Sequence, residues 1–164
     1  MFKPDVKLKR VTDITPELLE SIGVDTLLLD VDNTLSTFKG TVFVDGFEAW
    51  RDYMMSKGIK LRILSNAKKA RLSSFAARAG IEGTGMAAKP LPFGYLRAAK
   101  QCGSSVKTTA RVGDQIFTDV LGGALAGVTT VLVEPIKLED SAGFKFRRKL
   151  ERKLLKKYSM SDGR

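Results

Sequence analysis

Nearly continuous apolar runs alternate with stretches of helical periodicity along this chain, and the connections between them are brief. Thr26-Leu-Leu-Leu-Asp30, Leu61-Arg-Ile-Leu64 and Thr129-Thr-Val-Leu-Val133 have the pattern of strands covered on both faces. Thr109-Ala-Arg-Val112 is a shorter version, and a weak strand is expected near Gly85 and Met86. Helical segments around residues 46–57, 68–79, 92–101 and 118–126 lie between them. Gly58, Gly80, Gly103 and Gly127 stand where C-caps belong. Strands and helices in alternation predict an α/β fold, a doubly wound Rossmann-like parallel sheet of about five strands.

In such a sheet ligands bind beyond the carboxyl ends of the strands, where strand order reverses. The residues just past each expected strand therefore matter most. They are Asp30 to Thr34 after the first, Ser65 and Asn66 after the second, Lys89 and Pro90 after the weak third, and Gly113, Asp114 and Asp119 after the fourth. Asp30 and Asp32 stand two residues apart at a strand end, where unneutralised carboxylates would repel each other. A divalent cation removes that repulsion, and Mg²⁺ takes carboxylate oxygens together with a phosphate oxygen. One carboxylate can then attack phosphorus while the other handles protons. Ser65 offers a hydroxyl and an N–H to phosphoryl oxygens, and Lys89 offers positive charge.

Composition narrows the chemistry further. The 164 residues, 43% apolar and 28% charged, suit an ordinary globular domain. There is no histidine, which excludes Ser-His-Asp and Cys-His machinery and His-ligated zinc. Cys102 is alone, so no intramolecular disulfide forms and a reducing cytoplasm is expected. It is no phosphatase nucleophile either, because Thr108 stands where that chemistry needs a phosphate-cradling Arg. A half-buried position at a helix end is expected instead. No apolar run reaches the roughly 18–20 residues of a membrane span, and the start of the chain lacks the apolar segment of a signal peptide. Gly83-Thr-Gly85-Met-Ala-Ala88 fits G-x-G-x-x-A but neither follows the first strand nor opens a helix, and no P-loop motif exists. Trp50, Phe43 and Phe47 are expected in core or flap packing.

Four segments together carry a resemblance: Asp30-Val-Asp-Asn-Thr-Leu35, Ile63-Leu-Ser-Asn66, Lys89-Pro90 and Gly113-Asp-Gln-Ile-Phe-Thr-Asp119. They resemble the four motifs of the haloacid dehalogenase (HAD) phosphatase superfamily. Asp13-Ile-Thr-Pro16, Thr118-Asp-Val-Leu-Gly-Gly123 and Phe146-Arg-Arg-Lys-Leu-Glu-Arg152 narrow the likeness to subclass IIIA phosphatases of the bacterial YqeG family. That family is related to mitochondrial phosphatidylglycerophosphate phosphatases. The resemblance implies Asp30 as nucleophile and Mg²⁺ ligand, and Asp32 as general acid and base with its backbone carbonyl on the metal. It implies Ser65, Asn66 and Lys89 as phosphate-binding, Ser65 and Lys89 being catalytic as well. Asp114 would be a metal ligand, with Thr34 and Asp119 in support. Close relatives often carry a second Asn after Ser-Asn, where this chain has Ala67.

The intervals 34–65 and 66–89 leave no room for a cap domain, so an open site is expected. Residues 1–140 form the expected phosphatase domain, and 141–164 a basic amphipathic helix and tail. Between Phe144 and Tyr158 there are eight basic residues and one acid, giving +7 of the chain's +10. On a wheel of about 100° per residue, Phe146, Leu150, Leu154, Tyr158, Phe144 and Leu155 fall on one half. Arg148, Arg152, Lys145, Lys156, Lys149 and Lys153 fall on the other, and Arg147, Lys157 and Glu151 stray into the apolar half. Three readings stay open: a helix packed on the sheet, a helix at an anionic membrane surface, and a contact with RNA or the ribosome. Few aromatics interleave the basic residues, so nucleic acid is not expected as a partner.

These features predict an Mg²⁺-dependent phosphomonoester hydrolase working through an aspartyl-phosphate. The expected substrate is an anionic phospholipid, phosphatidylglycerophosphate, met by a cytoplasmic protein peripherally at the inner membrane face. The alternatives are a phosphatase of a soluble metabolite or phosphoprotein, and a non-catalytic RNA- or ribosome-associated binding protein.

Overall fold

The computed structural model describes residues 2–37, 40–137 and 141–161. Its centre is a six-stranded, all-parallel sheet built from β1 (Val6–Leu8), β2 (Thr26–Leu29), β3 (Lys60–Leu64), β4 (Gly83–Thr84), β5 (Thr109–Gly113) and β6 (Thr129–Val133). The strand order is β1-β6-β5-β2-β3-β4. From β2 the chain winds outward through β3 and β4, then returns to lay β5 and β6 on the other side. Strand order therefore reverses between β2 and β5, and a crevice at their carboxyl ends is the expected ligand position.

Every residue of β2 and β5 is buried, as central strands covered on both faces are, even though β5 carries Arg111 at its centre. Helices α1 (Pro16–Ser21), α2 (Phe47–Ser56), α3 (Lys69–Ala79), α4 (Phe93–Gln101) and α5 (Leu121–Ala126) cover the sheet, followed by the long α6 (Ala142–Ser161). Gly80 and Gly127 close α3 and α5 at φ 66° and 77°, the left-handed conformation that glycine enters without Cβ strain. Trp50 is a core residue whose indole N–H donates to the Ile14 carbonyl at 2.8 Å, and Phe43 stacks on Phe47 at 4.7 Å. Cys102 caps the end of α4, partly exposed, with its thiol pKa pushed up by burial.

Two elements go beyond the sequence reading. β1 is a sixth strand: Val6-Lys-Leu8 is too short and too interrupted by lysine to stand out. It is recruited at the sheet edge, where the Asp5 carboxylate accepts from the N–H and hydroxyl of Thr130. α1 is a single short helix, entered through Thr15 and Pro16, with the Thr15 hydroxyl accepting from the Leu18 N–H. The weak strand lies at Gly83–Thr84 rather than at 85–86, because Ser65 N–H pairs with the Thr84 carbonyl and fixes the register there. Between β2 and β3 stand only a loop and α2, and between β3 and β4 only α3. No cap domain is present among the described residues.

Candidate active site

The turn after β2 is tight, with Val31 carbonyl accepting from the N–H groups of Thr34, Leu35 and Ser36. It holds Asp30 at the strand end, its N–H still paired with Val112 of β5. After β5, Gly113 leads into Asp114, and a Cβ at Gly113 would collide with the Asp119 carboxylate. That close approach explains the glycine. Residues Ile116–Val120 form a π-helical turn before α5, and the extra residue per turn swings Asp119 back over the strand end. Asp30, Asp114 and Asp119 are all buried, and each offers an oxygen within 4.8 Å of the others.

The charges are balanced from two sides. Lys89 Nζ donates to Asp30 Oδ1 at 2.9 Å and to Asp119 Oδ1 at 3.0 Å. Beneath them lies Arg111, 1% exposed in the middle of β5. It donates to Asp119 at 2.7 and 3.1 Å, stands 3.2 Å from Asp30 Oδ1, and donates to the carbonyls of Leu28 and Leu64. Burial alone would raise the Asp119 pKa, but Lys89 and Arg111 overcome it and hold the carboxyl at about 2. Asp30 goes the other way: burial and the charge of Asp119 raise it, outweighing Lys89 and Arg111. Asp114 is raised well above the usual carboxylate range by burial and then by Asp30.

This pattern fits a divalent cation. Asp119 is committed, with Oδ1 taken by Lys89 and Arg111 and Oδ2 accepting from the Gln115 N–H. Asp114 Oδ1 is buried without a hydrogen-bond partner, which is the state of an oxygen awaiting a ligand. Asp30 and Asp114 are thus the carboxylates suited to hold the ion.

The remaining expected residues converge on the same rim in different roles. Ser65 is buried, with its Oγ accepting from the Ala67 N–H at 3.0 Å. Asn66 brackets the main chain of Lys89, accepting from its N–H at 2.8 Å and donating to its carbonyl at 3.4 Å. It positions the lysine. The Asp32 carboxylate stands outside the acidic cluster, half-buried and paired with both ends of the Arg71 guanidinium from α3 at 2.8 and 3.2 Å. Thr34 is buried with its hydroxyl unpartnered.

Three arginines of this site were not singled out from sequence: Arg71, Arg111 and Arg148. For Arg111 a signal existed, because an arginine inside a strand with no solvent face needs a buried anionic partner. Arg148 is a correction to the expected wheel of α6. The side chains buried there are Phe144, Arg148 and Glu151, whereas Phe146 and Leu150 are exposed. The buried Asp114 carboxylate draws a cation inward, which hydrophobic periodicity cannot foresee.

The description of the haloacid dehalogenase-like hydrolases matches residues 43–127. A curated relative, the probable phosphatase YqeG of Bacillus subtilis, is 34% identical over 154 residues, covering 94% of this chain and 90% of its own. Among solved structures, the cobalt-bound deoxy-D-mannose-octulosonate 8-phosphate phosphatase of Haemophilus influenzae is similar in fold. It shares 20% identity over 84% of this chain and 90% of its own, with a TM-score of 0.55. The corresponding phosphatase of Moraxella catarrhalis, solved with magnesium, phosphate and KDO, matches at 16% identity over 74% of this chain and 84% of its own, with a TM-score of 0.50. With a match of this extent, the chain belongs to the haloacid dehalogenase-like hydrolases and, within them, to the YqeG-type phosphatases.

Proposed function

We propose that the protein is an Mg²⁺-dependent phosphatase of an anionic phospholipid, with phosphatidylglycerophosphate as substrate and phosphatidylglycerol and phosphate as products. In this reading Asp30 attacks phosphorus and the bond to the lipid oxygen breaks, leaving an aspartyl-phosphate. Asp32 gives the departing oxygen a proton, then takes one from the water that cleaves the acyl phosphate. For this its carboxylate must exchange Arg71 for the leaving group. Lys89, held by Asn66 and Asp119, favours the ionised form of Asp30 against the effect of burial and carries positive charge to the phosphoryl oxygens. Ser65 supports the phosphoryl group beside it. Asp30 and Asp114 would hold Mg²⁺, which when bound would supply the charge neutralisation that lets an anion approach a carboxylate nucleophile.

The observation that carries the lipid assignment is the character of the rim. Among the described residues the site has no cap, and the segments following β2 and β4 expose Val42, Met86, Leu91 and Phe93, the last two flanking the Lys89 turn and the start of α4. α6 adds an outer face on which exposed Phe146 and Leu150 sit among Lys149, Lys153 and Lys157. Apolar side chains set among lysines suit the interface of an anionic bilayer. A cleft of about 480 Å³ between α6 and the sheet edge opens beside Asp114, lined by Leu132, Val133, Pro135, Phe144 and Leu155. Its size and lining suit the apolar part of such a ligand. Among the described residues no helix is long and apolar enough to cross a membrane; in this reading the lipid is met through this face.

The test is Mg²⁺-dependent phosphate release from phosphatidylglycerophosphate in mixed micelles beside a soluble phosphomonoester, with Asp30→Asn as the blank. Efficient release from the lipid, lost in the variant, is expected. Release from the soluble ester alone would leave the chemistry standing and overturn the lipid assignment.

A further inference from the structure

Of the nine charged side chains between Phe144 and Tyr158, Arg148 and Glu151 are buried and the others are exposed. Both buried groups are turned toward the segment that carries Asp114. One guanidinium nitrogen of Arg148 donates to the Asp114 carbonyl and the other to Asp114 Oδ2. Glu151 accepts from Arg148 at 2.9 Å through one oxygen, and from the Ile116 N–H at 2.8 Å through the other. The guanidinium also lies over the Phe144 ring, 4.7 Å from its centroid. A planar fork that grips both the main chain and one carboxylate oxygen fixes the rotation of the carboxylate. The oxygen left over, Oδ1, is the one without a partner, and the Asp114 carboxylate belongs to the cluster with Asp30 and Asp119.

We propose that Arg148, braced by Glu151, is a positioning residue for the cation ligand Asp114, so that the seating of α6 sets the affinity of the active site for a divalent cation. The inference rests on the reading of Asp114 as a ligand and is independent of which phosphate ester is cleaved. The alternative geometry, in which the guanidinium competes with the ion for the carboxylate, demands the opposite sign. Two features favour positioning: Glu151 neutralises the guanidinium, and Arg148 occupies Oδ2 while Oδ1 is left open.

Calorimetric titration of the full chain with Mg²⁺, without substrate, separates these cases. Outer partners of ligating groups typically contribute about 10–100-fold to metal affinity, so Arg148→Ala is expected to raise the Mg²⁺ Kd about tenfold or more. Arg148→Lys keeps the charge but cannot span carbonyl and carboxylate together, and falls between. Glu151→Gln retains an acceptor for Ile116 while losing the ionic brace, and gives a smaller loss. Lys156→Ala removes an exposed charge from the same helix and keeps the wild-type Kd. Melting curves of each variant establish that the comparison is among folded proteins, and Arg148→Lys carries the test if the alanine variant does not fold. Equal or tighter binding by the Arg148 variants overturns the proposal. A wild-type chain that binds no Mg²⁺ overturns it too, along with the assignment of Asp114 as ligand. Wild-type binding with unchanged variants would overturn this inference alone and leave the phosphatase reading intact.

Discussion

Arg111 is the residue on which the acidic cluster depends most. It sits beneath the site, satisfies two main-chain carbonyls and compensates Asp119 and Asp30 from below, as Lys89 does from above. Removing one member of a buried charge network leaves the others uncompensated, at a cost of about 3–5 kcal/mol. Arg111→Ala is therefore expected to lower the urea-denaturation free energy by that amount, and a loss under about 1 kcal/mol would contradict the role. At this scale the acids and Lys89 were legible and the arginines were not. Asp30, Asp114 and Asp119 announce themselves because they follow strands in a fold whose chemistry lies at strand ends. Arg71 and Arg148 stand inside helices, where a basic residue reads as a solvated charge, and Arg111 is marked only by its place inside a buried strand. Their roles depend on which side chains the fold brings opposite them, across 39, 8 and 34 residues of sequence.

Elements were legible wherever a local rule fixed them. The apolar runs of β2, β3, β5 and β6 and the glycine stops of α2 to α5 fall where the pattern put them. β1 was hidden because its three residues alternate with lysine and owe their conformation to β6. The π-helical turn was hidden because nothing in Ile116–Val120 departs from ordinary helical periodicity. α1 shows how much a local signal can hold. Its Thr15 cap replaces a missing intrahelical acceptor, so Thr15→Ala is expected to cost about 1 kcal/mol in thermal or urea unfolding. At the rim, Leu91 and Phe93 expose apolar surface without supporting the core. The double variant Leu91→Asp, Phe93→Asp is expected to lose most hydrolysis of lipid presented in anionic vesicles while hydrolysis of a soluble ester stays at the wild-type rate. A parallel fall in both activities would contradict a membrane-facing rim.

For the whole molecule, the cluster links folding, protons and cation. Burial, then neighbouring carboxylates, raise the pKa of Asp30 and Asp114 above ordinary values. A carboxyl with a raised folded pKa favours the folded state below its unfolded pKa, and that contribution is lost as pH rises through the folded value. The metal-free protein thus loses stability from these two groups as pH rises through their raised folded values, and a bound cation takes the place of the protons. The rise in melting temperature on adding Mg²⁺ is expected to be larger at about pH 8 than at about pH 5; an equal rise would contradict the raised values. The open site, the apolar rim and the basic outer face of α6 are the features behind the proposal that the protein works on a lipid surface. The most direct measurement of that claim is the rate of phosphate release from phosphatidylglycerophosphate diluted with neutral detergent in mixed micelles, at constant total lipid phosphate. An enzyme that works on the micelle surface slows as the surface mole fraction of substrate falls. A rate that follows only the bulk concentration would mean that the protein takes its substrate from solution.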